Sequence, residues 1–294
     1  MRPLGSRMEF EAKFVGVLEF ITCGPLHIGG ERVGNELRLL RLHDGRLLIP
    51  ASTWKGAFRG LARKLALSLP LSSVERLAVE RVSDPASKLE NVKDLLEDFK
   101  KALRGVPNSL FEPGDVLEVL REIGYDEELK EPEDPAGMLV SYLEYYCPVG
   151  RLFGNGVHSA STRFSDTLLE VATARRPGIG IERRTGKVRN DVLFFVESIP
   201  PGTVVKLVMV GEVRRKGDNA SMLLASLLKA VDALGISIGG RRSAGYGQLN
   251  LRGCHFYVVE FRKDRDKFGE LLANPFRSDR LDLNSFTSWL RGGD

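Results

Sequence analysis

The chain has little that would staple it together or embed it in a membrane. Among its 294 residues are only three cysteines, Cys23, Cys147 and Cys254. They are odd in number and far apart, which argues against a disulfide framework, and three buried thiols are the expectation. No Cys-x-x-Cys occurs, and Cys147 with His158 would supply two ligands at best, so no metal site is expected. No stretch reaches the ~18 consecutive apolar residues of a membrane helix. Residues 1–10 hold no apolar run of signal-peptide length. A soluble cytoplasmic protein without membrane partners is therefore expected. Gln248 is the only glutamine, while 28% of residues are charged. Few thermolabile amides beside abundant Lys, Arg and Glu fit a thermophile.

Hydrophobic residues make up 43% of the chain, enough to build one large core or two small ones. The net charge of +4 conceals a segregation. Residues 84–134 carry 15 acidic and 7 basic side chains, a net of −8, which leaves +12 on the remainder. An acidic block on a basic body suggests one face for a polyanion and another for solvent or protein.

Residues 9–23 are rich in Phe, Val, Leu and Ile and read as a long strand, stopped by Gly24-Pro25. Leu26-His27-Ile28-Gly29-Gly30 follows, and then a loop to Asn35. His43-Asp44-Gly45 is a hairpin turn between residues 37–42 and 46–49. A helix follows Pro50, with Ser52 or Thr53 as N-cap and Trp54, Phe58, Leu61, Ala62 and Leu65 on its apolar side. Lys55, Arg59 and Arg63 recur every four residues on what would be its exposed face. Residues 70–148 form helical patterns, such as 92–103 and 116–123, joined by acidic, proline-rich connectors. This reads as a helical insertion, because the strands on either side need each other for a core. Strands at 163–171, 192–198, 204–211 and 248–261 and a helix at 220–234 complete the pattern, with short helix and coil at the C-terminus. The order fits an α+β, modified ferredoxin-like (RRM-like) sheet with helices on one face.

Two segments carry polyanion chemistry. In residues 235–247, Gly239, Gly240, Gly245 and Gly247 allow close backbone approach, and successive N–H groups can form an anion nest. Arg241 and Arg242 add phosphate-pairing forks. Tyr246 would either stack on a base or pack in the core. No Gly-Lys-Ser/Thr phosphate loop is present. The second segment, 174–191, sets Arg175, Arg176, Arg183, Arg184, Lys187 and Arg189 against Glu182 and Asp191. A basic hairpin with apolar Ile179 or Ile181 suits phosphate contact and base wedging. Lys55, in the first turn of its helix, adds an anion-favouring position.

The glycine loop resembles the C-terminal signature of the RAMP superfamily, and other segments match in order. They are Gly24-Pro25-Leu26-His27-Ile28-Gly29-Gly30, Ile49-Pro50-Ala51-Ser52-Thr53-Trp54-Lys55-Gly56-Ala57-Phe58-Arg59, and Ile181-Glu182-Arg183-Arg184-Thr185-Gly186-Lys187 with Leu193-Phe194 and Glu197 downstream. Arg151-Leu152-Phe153-Gly154 is a weaker match. Together they cover residues 14–250 of a single domain spanning 1–294, and the nearest subgroup is the backbone subunit of type III CRISPR effector complexes. The resemblance implies a guide-RNA-binding scaffold, with guide RNA, target RNA and other RAMP subunits as partners. The hairpin at 174–191 would be a thumb that kinks the guide–target duplex, and Lys55, Arg59 and Arg63 would follow the guide phosphates. His27 is expected to be a structural histidine before an RNA contact.

Catalysis is a separate question. Related subunits place a metal-dependent catalytic aspartate where Glu36 stands here. Glutamate keeps a carboxylate that could hold Mg²⁺, but it is one methylene longer, and placement tolerates little error. Non-catalytic scaffolding, needing no cofactor, is the favoured expectation, with a Mg-dependent endoribonuclease as the other. The alternative function is an autonomous RAMP endoribonuclease that processes CRISPR transcripts with His27 or His43.

Overall fold

The computed structural model describes residues 10–84, 93–125, 133–181, 184, 188–263 and 267–293. The chain runs through β1 (Ala12–Thr22), β2 (Gly29–Val33), β3 (Glu36–Leu39) and β4 (Leu47–Ile49) to α1 (Ala51–Ala66). A helical run follows: α2 (Ser73–Val82), α3 (Lys93–Leu103), α4 (Pro113–Glu122), α5 (Pro135–Tyr146) and α6 (Pro148–Phe153). Next come β5 (Thr162–Phe164), β6 (Thr167–Leu169), β7 (Ala174–Ile181), β8 (Val188–Ser198) and β9 (Val204–Val213). The chain closes with α7 (Asn219–Leu234), β10 (Ile236–Ser237), β11 (Gln248–Glu260), α8 (Phe268–Ala273), β12 (Arg280–Leu281) and α9 (Leu283–Leu290). The described residues form two compact units.

The first unit comprises the described residues of Met1–Phe58, Arg163–Arg214 and Leu228–Thr287. Its main sheet has the order β10-β11-β1-β9-β5, with β12 on β11. β1 runs antiparallel to both β9 and β11. With α1 after β1 and α7 after β9, the strands β1, β5, β9 and β11 make the β-α-β-β-α-β path of a ferredoxin-like sheet. Alternation puts Ala12, Phe14, Leu18 and Phe20 of β1 on the buried side. Trp54, on the first turn of α1, stacks on Phe20 at 5.4 Å between ring centroids.

Two groups of strands are inserted into that path, and α8, β12 and α9 follow its last strand. β2, β3 and β4 lie between β1 and α1, and β6, β7 and β8 lie between β5 and β9. The two insertions find each other. β3 pairs parallel with β8 through Glu36↔Phe195 and Leu37↔Val196, giving a second sheet of order β2-β3-β8-β7. β4 pairs with β6.

The second unit comprises the described residues of Arg59–Thr162, Arg215–Leu227 and Ser288–Asp294. Phe99, Phe111 and Tyr142 form its aromatic centre, with ring centroids 5.4–5.7 Å apart. The Tyr142 and Tyr146 hydroxyls both donate to Asp115 at 2.8 Å. Burial, first, and the adjacent carboxylate, second, push the Tyr142 and Tyr146 phenols well above their ordinary range. Ser72 and Glu75 close a reciprocal capping box at the start of α2.

Several expectations are corrected. The segment expected to be a loop to Asn35 is the β2–β3 hairpin, turning at Gly34-Asn35. α1 begins at Ala51, ahead of both expected caps, and its cap comes from elsewhere: Asp166 Oδ1 accepts from the Ala51 N–H at 2.7 Å. The strand at 163–171 is broken at Ser165-Asp166, which frees Asp166 for that role. Of the thiols, only Cys147 is buried; Cys23 is exposed and Cys254 half-buried. Helices α2 to α6 run to Phe153, and the unit they build extends past the expected 70–148 at both ends. The C-terminal stretch has the expected short helices, α8 and α9, and the second of them packs into the core. Phe286 is fully buried, stacks on Phe256 at 4.0 Å and touches Phe14 at 5.0 Å.

Phe286→Ala should therefore cost about 3 to 5 kcal/mol, as for a large core aromatic. Denaturant unfolding checks this; a loss below about 1 kcal/mol would mean the last helix is an accessory.

Candidate nucleic-acid interface

The second sheet presents two different faces, because opposite residues on paired strands share a side. Register puts Val33 opposite Glu36, Glu36 opposite Phe195, and Ile179 opposite Leu193. Val33, Glu36, Arg175, Phe195, Ile179 and Leu193 thus share the outer face. Val33, Ile179 and Leu193 are 43%, 53% and 49% exposed, which is unusual for side chains of this type in a sheet. The Arg175 guanidinium lies 4.9 Å over the Phe195 ring and bonds Glu36 at 2.8 Å. Arg38 approaches the other Glu36 oxygen at 3.5 Å.

The inner face carries Leu37, Phe194 and Val196, and the glycine loop comes to it. The loop is fastened to the segment after β1 by two backbone bonds, Gly240 N–H to the His27 carbonyl at 3.0 Å and Gly247 N–H to the Pro25 carbonyl at 2.8 Å. Gly247 has φ +86°, and a Cβ there would collide with the Ile238 carbonyl, so only glycine fits. Arg241 stacks on Phe194 at 4.6 Å.

Glu197 anchors the base of this construction. It is 7% exposed. One carboxylate oxygen accepts from the Leu39 N–H at 2.9 Å; the other accepts from the Thr173 hydroxyl at 2.8 Å and pairs with Arg41. Its backbone carbonyl bonds His27 Nδ1 at 2.7 Å. Burial pushes the carboxyl up, but the Leu39 N–H, the Thr173 hydroxyl and the Arg41 guanidinium outweigh it. The carboxyl is held below its ordinary value.

The expected site residues sort accordingly. His27 is 6% exposed and bonded to the Glu197 carbonyl, a structural position. Tyr246 is 9% exposed, so its ring packs inward and offers little face for stacking. Gly239, Gly240, Arg241 and Arg242 lie together in the loop, with Arg242 exposed. Arg184 is exposed. Arg189 lies on β8, and Arg183 and Lys187 lie outside the described residues. Lys55 is half-buried on the first turns of α1. Arg59 and Arg63 are not on an open face. Arg59 donates to the carbonyls of Ser83 and Gly154 at 3.0 Å each, and burial holds its pKa below the ordinary value. Arg63 pairs with Asp84 at 2.7 Å. Helical spacing showed that they share a side; it could not show that carbonyls wait for them there.

Glu36 is an ion-pair partner of two arginines, and among the described residues no three His, Cys, Asp or Glu gather around a common point. With two guanidiniums against its carboxylate, the surroundings of Glu36 do not fit a divalent cation. Missed altogether from sequence were Arg41 and Asp166, whose partners lie 156 and 115 residues away. Neither stands in a pattern that announces its partner.

Residues 19–250 match the family model described as the RAMP superfamily. No curated protein matches the chain by sequence. Among the described residues, no helix is long and apolar enough to cross a membrane.

Because the folded Glu197 carboxyl titrates below its ordinary 4.5, its stabilisation is full above that pH and is lost as pH falls through the lower folded value. Glu197→Gln should lower stability at pH 7 by roughly 1 to 3 kcal/mol, the cost of a broken buried network. Thermal unfolding against pH should show the two proteins converging in acid. A constant gap would dismiss the ionised carboxylate as the anchor.

Proposed function

The chain belongs to the RAMP superfamily, a CRISPR-associated, RNA-binding family, and on that premise we propose that it is a guide-RNA-binding scaffold subunit of a type III interference complex. The observation that supports this best is the outer face of the second sheet. Exposed Ile179 and Leu193 face each other across β7 and β8, on a hairpin that also carries Arg175, Arg176 and Arg184. Apolar side chains beside cations suit insertion between stacked bases while the arginines hold phosphates. Arg242 extends the basic edge from the glycine loop, and Lys55 offers a further cation on α1. Guide RNA, target RNA and other RAMP subunits would be the partners, and the cytoplasm the place of action.

Scaffolding is favoured over cutting by two features. Glu36 is drawn into ion pairs with Arg175 and Arg38, which spends the carboxylate that a metal-dependent nuclease would need. His27, a candidate for metal-independent RNA processing, is buried with Nδ1 committed to the Glu197 carbonyl.

The expected result for an Arg176→Ala, Arg184→Ala, Arg242→Ala triple variant is weaker binding to single-stranded RNA at every salt concentration. The slope of log affinity against log salt should fall by about 2, from roughly 0.7 per lost phosphate contact. Filter binding across a salt series measures both. Unchanged affinity would remove the hairpin and loop from the interface. Cleavage of CRISPR repeat RNA by the purified protein in EDTA would favour the autonomous nuclease.

A further inference from the structure

Arg241 is the only non-glycine with positive φ among the described residues, at φ 58° and ψ 28°. That left-handed conformation is disfavoured for a side chain with a Cβ. It is preceded by Gly239 and Gly240, so a third glycine would have satisfied the turn without strain. Strain of this kind persists where surrounding contacts over-determine it. The contact here is visible. The guanidinium lies 4.6 Å over the Phe194 ring. Phe194 in turn lies over Gly178 of the neighbouring strand, its register partner, where a Cβ would collide with the ring. Gly178, Phe194 and Arg241 therefore form a three-layer stack. It joins the β7–β8 hairpin to the glycine loop through Phe194 and Arg241, which are 47 positions apart in the chain.

We infer that Arg241 is a positioning residue: its stack on Phe194 clamps the glycine loop to the stem of the β7–β8 hairpin, so that loop and hairpin meet RNA as one preformed surface. This rests on the RNA-binding reading above and departs from the expectation that Arg241 is a phosphate fork. Without the clamp the loop keeps its backbone bonds to Pro25 and His27 but loses its side-chain contact with the hairpin stem. The order lost between them must be restored on binding, which lowers affinity without removing a phosphate contact. Phe194 is the other half of the clamp, and Phe194→Leu should act like Arg241→Ala, with the double variant no worse than either alone.

Two measurements on the full chain decide it. Hydrogen exchange without RNA should show faster exchange of β7 and β8 amides in Arg241→Ala, Arg241→Gly and Phe194→Leu. Arg241→Gly matters because it relieves the backbone strain, so faster exchange there cannot come from a misfit turn. Affinity for a single-stranded RNA oligonucleotide should fall about three- to thirtyfold, the worth of a cation–π contact, with the salt slope unchanged. A slope reduced by about 0.7, the signature of one lost phosphate contact on a single strand, overturns the inference whatever the exchange shows. Unchanged exchange in all three variants overturns it as well. If the wild-type chain binds no RNA, the RNA-binding reading falls, and the clamp then stands or falls on exchange alone.

Discussion

A buried carboxylate is expensive unless every lone pair is used, and Glu197 uses its own on three separate stretches of chain. Leu39 donates from the end of β3, Thr173 from the approach to β7, and Arg41 from the turn toward β4. Its backbone carbonyl takes the His27 ring, and the His27 carbonyl takes the Gly240 N–H. Both insertions into the ferredoxin-like path, and the loop that closes on them, are thus tied to one residue. The ladder between β3 and β8 is only two residue pairs long. A junction that short needs side chains to hold it, and Glu197 sits one residue past its end.

The parts of this architecture that were legible in the sequence are the parts whose signals are local. The alternating pattern of β1, the apolar spacing of α1 and α7, and the Asp44-Gly45 turn all appear close to where they were expected. The second sheet was not legible as a sheet. Residues 29–33 are glycine and charge in the main, and all five are exposed, so no buried stripe marks β2 as a strand. Pairing of Glu36 with Phe195 joins positions distant in sequence through a parallel contact with no turn to announce it. The N-cap of α1 failed for the same reason: Ser52 and Thr53 are good caps by type, yet Asp166 arrives from the β5–β6 turn and takes the role one residue upstream.

The basic residues of the candidate site show how charge type and charge use come apart. Arg59 and Arg63 carry the spacing of a phosphate-binding face, but their guanidiniums are spent on Ser83, Gly154 and Asp84. An arginine engaged this way serves the helical unit, and its loss would be felt in stability before it was felt in RNA binding. Arg176, Arg184 and Arg242, on the hairpin and the glycine loop, are among the exposed cations. The +12 body of the chain is therefore not one uniform basic surface. Part of it is tied into the helical unit, and exposed cations lie on the hairpin and the glycine loop as well as elsewhere on the chain.

Natural sequences depart from locally favourable choices mainly where function or an enforced contact demands it. Three departures gather on or against the second sheet: large apolar side chains left in water at Val33, Ile179 and Leu193, a non-glycine in the left-handed region at Arg241, and a cation stacked on an aromatic on each face. Stability alone does not account for the exposed valine, isoleucine and leucine, because polar residues on a solvent-facing strand would cost less and aggregate less. A ligand that buries apolar side chains and neutralises arginines accounts for both at once. Stacked bases on a phosphate backbone have that combination, and this is what supports the proposed RNA-binding reading of the inserted sheet.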